Sequence, residues 1–167
     1  MEKRGIIQVG SSGWGASWLE FIHEAEDWEL SALVSRGGEN LREAQEKWDI
    51  PDERCFTSLE EALDGPGEVV VVAAPHHLHV PMARQALEAG KHALIEKPLS
   101  DDLREAKGLA EYAAGCDRCA WVSQNFRYRE GLWQLHRSLA EGNLGSLLSV
   151  RLNFRRGGPQ KPGPWSQ

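Results

Sequence analysis

The sequence predicts an α/β chain: a doubly wound parallel sheet (a Rossmann arrangement) followed by the beginning of a second, α+β domain. Three observations predict it. Short aliphatic runs recur at residues 5–9, 30–34 and 69–74, as expected of strands buried on both faces. Segments with apolar residues at helical spacing separate them, so successive strands are joined by crossovers and run parallel. Glycine or proline stands where each run ends, at Gly10, Gly37 and Pro75, which punctuates strand from helix.

Residues 5–9 (GIIQV) are the first strand and run into Gly10-Ser11-Ser12-Gly13-Trp14-Gly15. Trp18, Phe21, Ile22 and Ala25 then recur at helical spacing, in a helix starting near Ala16. Strand, glycine-rich turn and helix is the context that a dinucleotide fingerprint requires. In the G-x-G-x-x-G register, Gly10 and Gly15 fill the first and third positions, Ser12 replaces the second, and Gly13 adds local freedom. A pyrophosphate would lie over the helix N-terminus, held by backbone N–H groups and the helix dipole. The plainer reading is a tight strand–helix turn.

The second strand, residues 30–34, ends in Ser35-Arg36. About 20 residues past the glycine turn, an NAD site usually carries an acid for the ribose hydroxyls. A hydroxyl and a guanidinium stand there instead, which suits a 2′-phosphate. NADP is therefore the expected cofactor, with NAD the alternative; a solvated loop arginine is the plainer reading of Arg36. A helix over 39–48 buries Leu41, Ala44 and Trp48. Cys55-Phe56 is a minimal third strand, and Ser58 with Glu61 forms a capping box for a short helix ending at Leu63.

Residues 69–74 are the fourth strand. A helix over 80–89 carries Met82, Ala86, Leu87 and Ala89 on one face, tolerates Pro81 in its first turn, and ends at Gly90. His92 to Ile95 begins the fifth strand, and Glu96-Lys97-Pro98 lies at its carboxyl end. The two strands are parallel, so residues 74–79 and 96–98 line one crevice at the edge where open α/β sheets bind ligands. Ser100 is the expected N-cap of the next helix, with Leu103, Ala106, Leu109, Ala110 and Ala113 as its buried stripe. Residues 120–122 are the sixth strand and close the first domain, 1–122. The second, 123–167, opens with a helix over 130–141 and a strand over 146–154. That strand would present an unpaired edge with Leu147, Leu148, Val150 and Leu152, which invites self-association. Residues 155–167 show no periodicity.

Bulk properties narrow the function. The 167 residues carry a net charge of −6, which disfavours nucleic acid and anionic membranes as partners. No apolar run is long enough to span a bilayer. The apolar stretch after Met1 stops at Gln8, too short for a signal peptide, so a cytoplasmic location is expected. Cys55, Cys116 and Cys119 are an odd count, against a disulfide framework, and the Cys116–Cys119 pair lacks the second pair that a zinc site needs. His76, His77 and His79 have no local acid or thiol beside them, so no metal is expected; His76 would border the cofactor and His79 pack at a helix start. No G-x-S-x-G elbow or P-loop occurs.

Two segments carry a family resemblance. Ala74-Pro75-His76-His77-Leu78-His79 resembles a Thr-Pro-Asn-x-x-His turn, matching at Pro75 and His79, and Glu96-Lys97-Pro98 matches fully a downstream Glu-Lys-Pro. Together they resemble the glucose-fructose oxidoreductase and inositol dehydrogenase family (Gfo/Idh/MocA). Asn125-Phe126-Arg127-Tyr128 resembles, more loosely, the segment that leads from that family's nucleotide domain past the nicotinamide. The resemblance implies an NAD(P)-dependent oxidoreductase acting on a sugar, polyol or related hydroxy compound. It implies that Lys97 is catalytic, hydrogen-bonding the nicotinamide ribose and the substrate hydroxyl, and that Glu96 either orients Lys97 or caps backbone. The implied cofactor contacts are Gly10, Ser12, Gly13, Trp14, Gly15, Ser35, Arg36, Ala74, Pro75, His76, His79, Glu96, Lys97, Asn125 and Arg127. Family members are about twice this long, so the chain corresponds to the nucleotide-binding half and is not expected to be catalytically complete alone. The rival expectations are a non-catalytic dinucleotide-binding module and a truncated product without function.

Overall fold

Residues 3–153 are described by the computed structural model. In chain order they form β1 (Arg4–Val9), α1 (Trp14–Glu24), β2 (Trp28–Val34), α2 (Glu39–Trp48), β3 (Cys55–Phe56) and α3 (Leu59–Leu63). β4 (Val69–Val72), α4 (His79–Glu88), β5 (His92–Ile95), α5 (Leu103–Ala114), β6 (Ala120–Val122) and α6 (Glu130–Ala140) follow. The six strands make one sheet in the order β3-β2-β1-β4-β5-β6, and every pairing is parallel. This is the doubly wound sheet that the aliphatic runs predict.

Side chains alternate along each strand, so each face collects its own core. Ile7, Val9, Val70, Val72 and Ile95 point to one face and pack with Ala62, Ala83, Ala86, Leu87 and Leu109 of α3, α4 and α5. On the other, Leu33 packs with Leu19 of α1 and Ala44 of α2, while Ile6 and Val71 meet Ile22 of α1. β1 lies mid-sheet, and Gly5 through Val9 are all buried. That explains why its sequence is a continuous apolar run broken only by Gln8.

α1 turns a different side inward from the one expected, and single residues of the faces expected for α4 and α5 are exposed. α1 buries Gly15, Leu19 and Ile22, whereas Phe21 is exposed and meets Trp18 edge-on with ring centroids 6.0 Å apart. Leu19 and Ile22, three apart, fix the rotation because they reach the sheet. In α5 only Leu109 is fully buried; Leu103 and Ala110 are exposed, the first because its turn lies beyond the core. Ala89 follows the end of α4 and is exposed.

The cap of α5 is Asp102, not Ser100: the Asp102 carboxylate accepts from the N–H groups of Arg104 and Glu105. Ser100 instead accepts from the Asp102 N–H and donates to Glu105. Ser58 does cap α3, accepting from the Glu61 N–H.

The chain divides into two compact units, Met1–Gln124 and Asn125–Gln167. In the second, a 3-10 turn (Asn125–Tyr128) precedes α6, whose last turn carries an Arg137–Glu141 ion pair at 3.2 Å. The strand expected over 146–154 does not form over its described part, 146–153. Its apolar pattern is present, but a strand is defined by its ladder, and no partner strand accompanies it among the described residues. Phe154 and the segment 155–167 lie outside the described residues.

The capping geometry makes a direct prediction. Asp102→Ala lowers folding stability by about 1 kcal/mol, the usual worth of an N-cap, and Ser100→Ala lowers it less. Urea unfolding of the two variants checks the order; equal losses, or a larger loss at Ser100, contradict the assignment.

Candidate functional site

The residues that follow the strands are pinned in a row along one edge of the sheet. Ser35, Gly10, Ala73, Glu96 and Ser123 each donate their N–H to the last carbonyl of a neighbouring strand: Phe56, Val34, Val9, Val72 and Ile95, at 2.8–2.9 Å. The strand order reverses between β1 and β4. There the connections leave in opposite directions, and the crevice opens that binds ligands in such sheets.

The glycine turn after β1 forms one wall. Gly10 has φ 96°, and an added Cβ would run into the Ala73 carbonyl. A Cβ on Gly15 would lie 2.5 Å from the Gly10 carbonyl oxygen. Both glycines are therefore required by close backbone approach. Gly13 has φ 55° and open space around it, so its requirement is conformational. It is also the N-cap residue of α1, which has no side-chain cap and no acid in its first turn. The first-turn N–H groups thus have no acidic residue of their own turn and no capping side chain to satisfy them.

Beneath the turn lies Gln8, completely buried. Its Nε2 donates to the carbonyls of Gly10 and Gly15, at 2.7 Å each, so one amide nitrogen ties the two ends of the turn together. Its Oε1 has no hydrogen-bond partner among the described residues. Ser11, also buried, hydrogen-bonds Ser35 hydroxyl to hydroxyl at 3.0 Å and fastens the turn to the end of β2. The Ser35 hydroxyl is therefore shared with Ser11. A cleft of about 230 Å³ lies between these parts, lined by Gly10, Ser11, Ser12, Ser35, Arg36, Ala74 and Pro75 with neighbouring residues.

Lys97 stands further along the same edge. Its side chain is exposed, with Nζ 5.3 Å from the centroid of the Trp14 ring at the start of α1. The Lys97–Pro98 peptide is cis. Glu96 points inward and is almost wholly buried. Its carboxylate accepts from Trp18 Nε1 at 2.9 Å, the Ser123 hydroxyl at 2.7 Å and the Lys97 N–H at 3.1 Å. Glu96 thus caps the Lys97 backbone N–H and ties the end of β5 to Trp18 of α1 and to Ser123, the residue after β6.

His79, the first residue of α4, is completely buried, in keeping with its expected packing at a helix start. Its Nδ1 and Nε2 lie 2.7 and 2.8 Å from the carbonyl oxygens of Pro98 and Ala74, so the ring spans the two loops of the crevice from behind. His76 is exposed, its ring centroid 5.5 Å from that of His79. Asn125 and Arg127 fall in the second unit, in its 3-10 turn. No cluster of three metal-ligating side chains occurs among the described residues. Burial, with Asp52 nearby, pushes the Cys55 thiol above its ordinary range, which makes it a poor nucleophile.

The structure therefore gathers Gly10, Ser12, Ser35, Arg36, Ala74 and Pro75 around one cleft, with Trp14 and Lys97 paired along the same edge. Reading the sequence alone misses Gln8, Ser11, Trp18 and Ser123. Gln8 alone left a signal, an amide inside an otherwise aliphatic strand. The cradle fits a dinucleotide pyrophosphate: backbone approaches so closely at Gly10 and Gly15 that a methyl group is excluded, beside an uncapped helix N-terminus. A larger groove of about 530 Å³ lies on the α1 face of the sheet, between Trp18, Trp28, Leu94 and Trp121. It is overwhelmingly apolar and away from the carboxyl edge, so it lacks the converging donors that such a ligand needs.

Residues 4–124 match the family described as an oxidoreductase family with an NAD-binding Rossmann fold, Gfo/Idh/MocA. Over 166 residues the chain is 30% identical to the uncharacterized oxidoreductase YdgJ of Escherichia coli (strain K12), covering 96% of this chain and 46% of the relative. Over 170 residues it is 25% identical to the scyllo-inositol 2-dehydrogenase (NADP(+)) IolW of Bacillus subtilis (strain 168), covering 99% and 46%. Among solved structures, GenD2 from gentamicin A biosynthesis, in complex with NAD, superposes with a TM-score of 0.74 at 28% identity, over 86% of this chain and 40% of that one. The chain thus spans under half the length of the relatives it matches.

The buried carboxylate makes the prediction for this site. Glu96→Ala strands the donors of Trp18 and Ser123 and lowers stability by about 2 kcal/mol, in the range for hydrogen bonds to a charged group. Chemical denaturation checks it, and a loss no greater than at an exposed glutamate contradicts the network.

Proposed function

We propose, from the premise that this chain belongs to the Gfo/Idh/MocA oxidoreductase family, that its first unit binds NADP(H) along the carboxyl edge of the sheet. The observation that carries the reading is the glycine cradle at the switch point, with Lys97 further along the same edge. The pyrophosphate would lie on the turn from Gly10 to Gly15, over the start of α1. Ser35 and Arg36, at the end of β2 where an acid would select NAD, would take the 2′-phosphate. The relative IolW carries NADP(+) in its name, which supports that choice, while GenD2 holds NAD. Pro75 and His76 would border the nicotinamide end.

The activity we propose for the whole protein is oxidation or reduction of a sugar, polyol or related hydroxy compound. Two features support it: the family, and a scyllo-inositol dehydrogenase among the relatives. The bound nicotinamide supplies the hydride chemistry. Lys97, its ammonium free of any carboxylate partner among the described residues, would hydrogen-bond the reacting hydroxyl and stabilise negative charge developing on its oxygen. Trp14 would hold that ammonium over the turn by cation–π attraction. Residues 1–122 are the nucleotide-binding domain in this reading, and 123–167 begin a substrate or oligomerisation domain. Exposed Leu147, Leu148, Val150 and Leu152 would support self-association by apolar contact rather than by a strand ladder. The three free cysteines suit a reducing, cytoplasmic setting.

Calorimetry with NADP(H) and NAD(H) tests the reading. NADP(H) should bind, and bind more tightly than NAD(H). Arg36→Ala should remove roughly 1–3 kcal/mol of that preference, the worth of a charge-assisted hydrogen bond. Binding of neither cofactor at millimolar concentration contradicts the site. Equal binding of both contradicts the role of Ser35 and Arg36.

A further inference from the structure

We propose that Gln8 is a positioning residue for the dinucleotide pyrophosphate, aiming the turn's backbone donors at it; this rests on the cofactor reading above. The geometry is specific. Nε2 of a single side-chain amide donates to the Gly10 and Gly15 carbonyls, the residues at the two ends of the turn, at 2.7 Å each. A trans peptide unit is planar, and its C=O and N–H point in opposite directions. Holding the Gly10 carbonyl down onto Gln8 therefore turns the Ser11 N–H the other way, outward. Holding the Gly15 carbonyl does the same for the Ala16 N–H. Ala16 lies in the first turn of α1, where N–H groups have no intrahelical acceptor. The bridge thus withdraws two carbonyl oxygens, which would repel a phosphate, and presents two donors, which would attract it.

Packing alone does not account for a glutamine here. Gln8 is paired in register with Leu33 and Val71, in an otherwise aliphatic sheet centre. It is completely buried, and its Oε1 has no partner among the described residues. A buried acceptor without a partner is unfavourable, and an aliphatic side chain would avoid it. What an aliphatic side chain cannot supply is the pair of donated hydrogen bonds across the turn. The fingerprint also lacks its middle glycine, with Ser12 in that place. The approach of a phosphate then depends more heavily on donors already pointing outward.

The test compares two probes on the full chain and its variants Gln8→Met and Gln8→Glu. One probe is NADP, which carries the pyrophosphate. The other is 2′-AMP, which keeps the adenine, ribose and 2′-phosphate but lacks it. Neither variant can donate both bonds, so NADP affinity should fall on the order of tenfold while 2′-AMP affinity stays essentially unchanged. Such a split is not expected of a merely structural residue, whose loss would weaken both probes together. NADP affinity unchanged, or both affinities falling alike, overturns the proposal while leaving the cofactor site standing. A wild-type chain that binds neither probe overturns the cofactor reading and this proposal with it. A second measurement does not depend on the variants folding. Solvent exchange of the Gln8 side-chain amide protons, followed by NMR in the wild-type chain, should be strongly slowed. Exchange at the rate of a free glutamine overturns the bridge.

Discussion

The parallel pairing of β1 with β4 is the constraint on which the rest depends. Each of these strands also has a parallel neighbour on its other side, β2 and β5, reached by a right- or left-going crossover. The connections leaving the two carboxyl ends must therefore diverge, and the space between them cannot be filled by either. The turn after β1 and the loop after β4 are the two sides of that gap. They approach so closely, at Gly10 against Ala73, that no side chain fits between. The fold and the proposed site share this point: the glycine that lets the two loops approach belongs to the turn on which the pyrophosphate would lie.

Buried polar groups hold the edge in shape. Gln8 braces the glycine turn, Ser11 joins it to Ser35, His79 spans the loops after β4 and β5, and Glu96 gathers α1, β5 and β6. Burying a carboxylate or an imidazole costs free energy unless hydrogen bonds replace water. Each of these groups has such partners, apart from the Gln8 oxygen. The residues that would touch a ligand, Ser12, Arg36, His76 and Lys97, are the exposed ones. The arrangement is that of a site whose contacting groups are free and whose supports are locked.

Much of this was legible in the sequence, because the signals were local. Continuous aliphatic runs give β1, β2 and β4 since both faces of a parallel sheet are covered, and Gly90 marks the end of α4 by its positive φ. The rotation of α1 was not legible. Trp18, Phe21 and Ile22 satisfy helical spacing as well as Leu19 does, and only contact with the sheet selects Leu19 and Ile22. The cap of α5 was ambiguous because Ser100 and Asp102 are both good caps, and the helix starts one residue after the second. The pattern over 146–153 satisfies a strand in composition but not in partner, and pairing is not a local property. In the site, the glycines and Lys97 announced themselves by motif. Trp18 and Ser123, 78 and 27 residues from Glu96 in sequence, could only be found in space.

The central claim is that the carboxyl edge at the switch point is a dinucleotide site. Backbone amide NMR during titration with NADP tests it most directly, because it reports position as well as binding. The account predicts that the largest shift changes map to the turn from Gly10 to Ala16, to Ser35 and Arg36, and to the Ala74 and Lys97 loops. Changes confined to the apolar groove around Trp28, Leu94 and Trp121, or no changes at saturating cofactor, would contradict it.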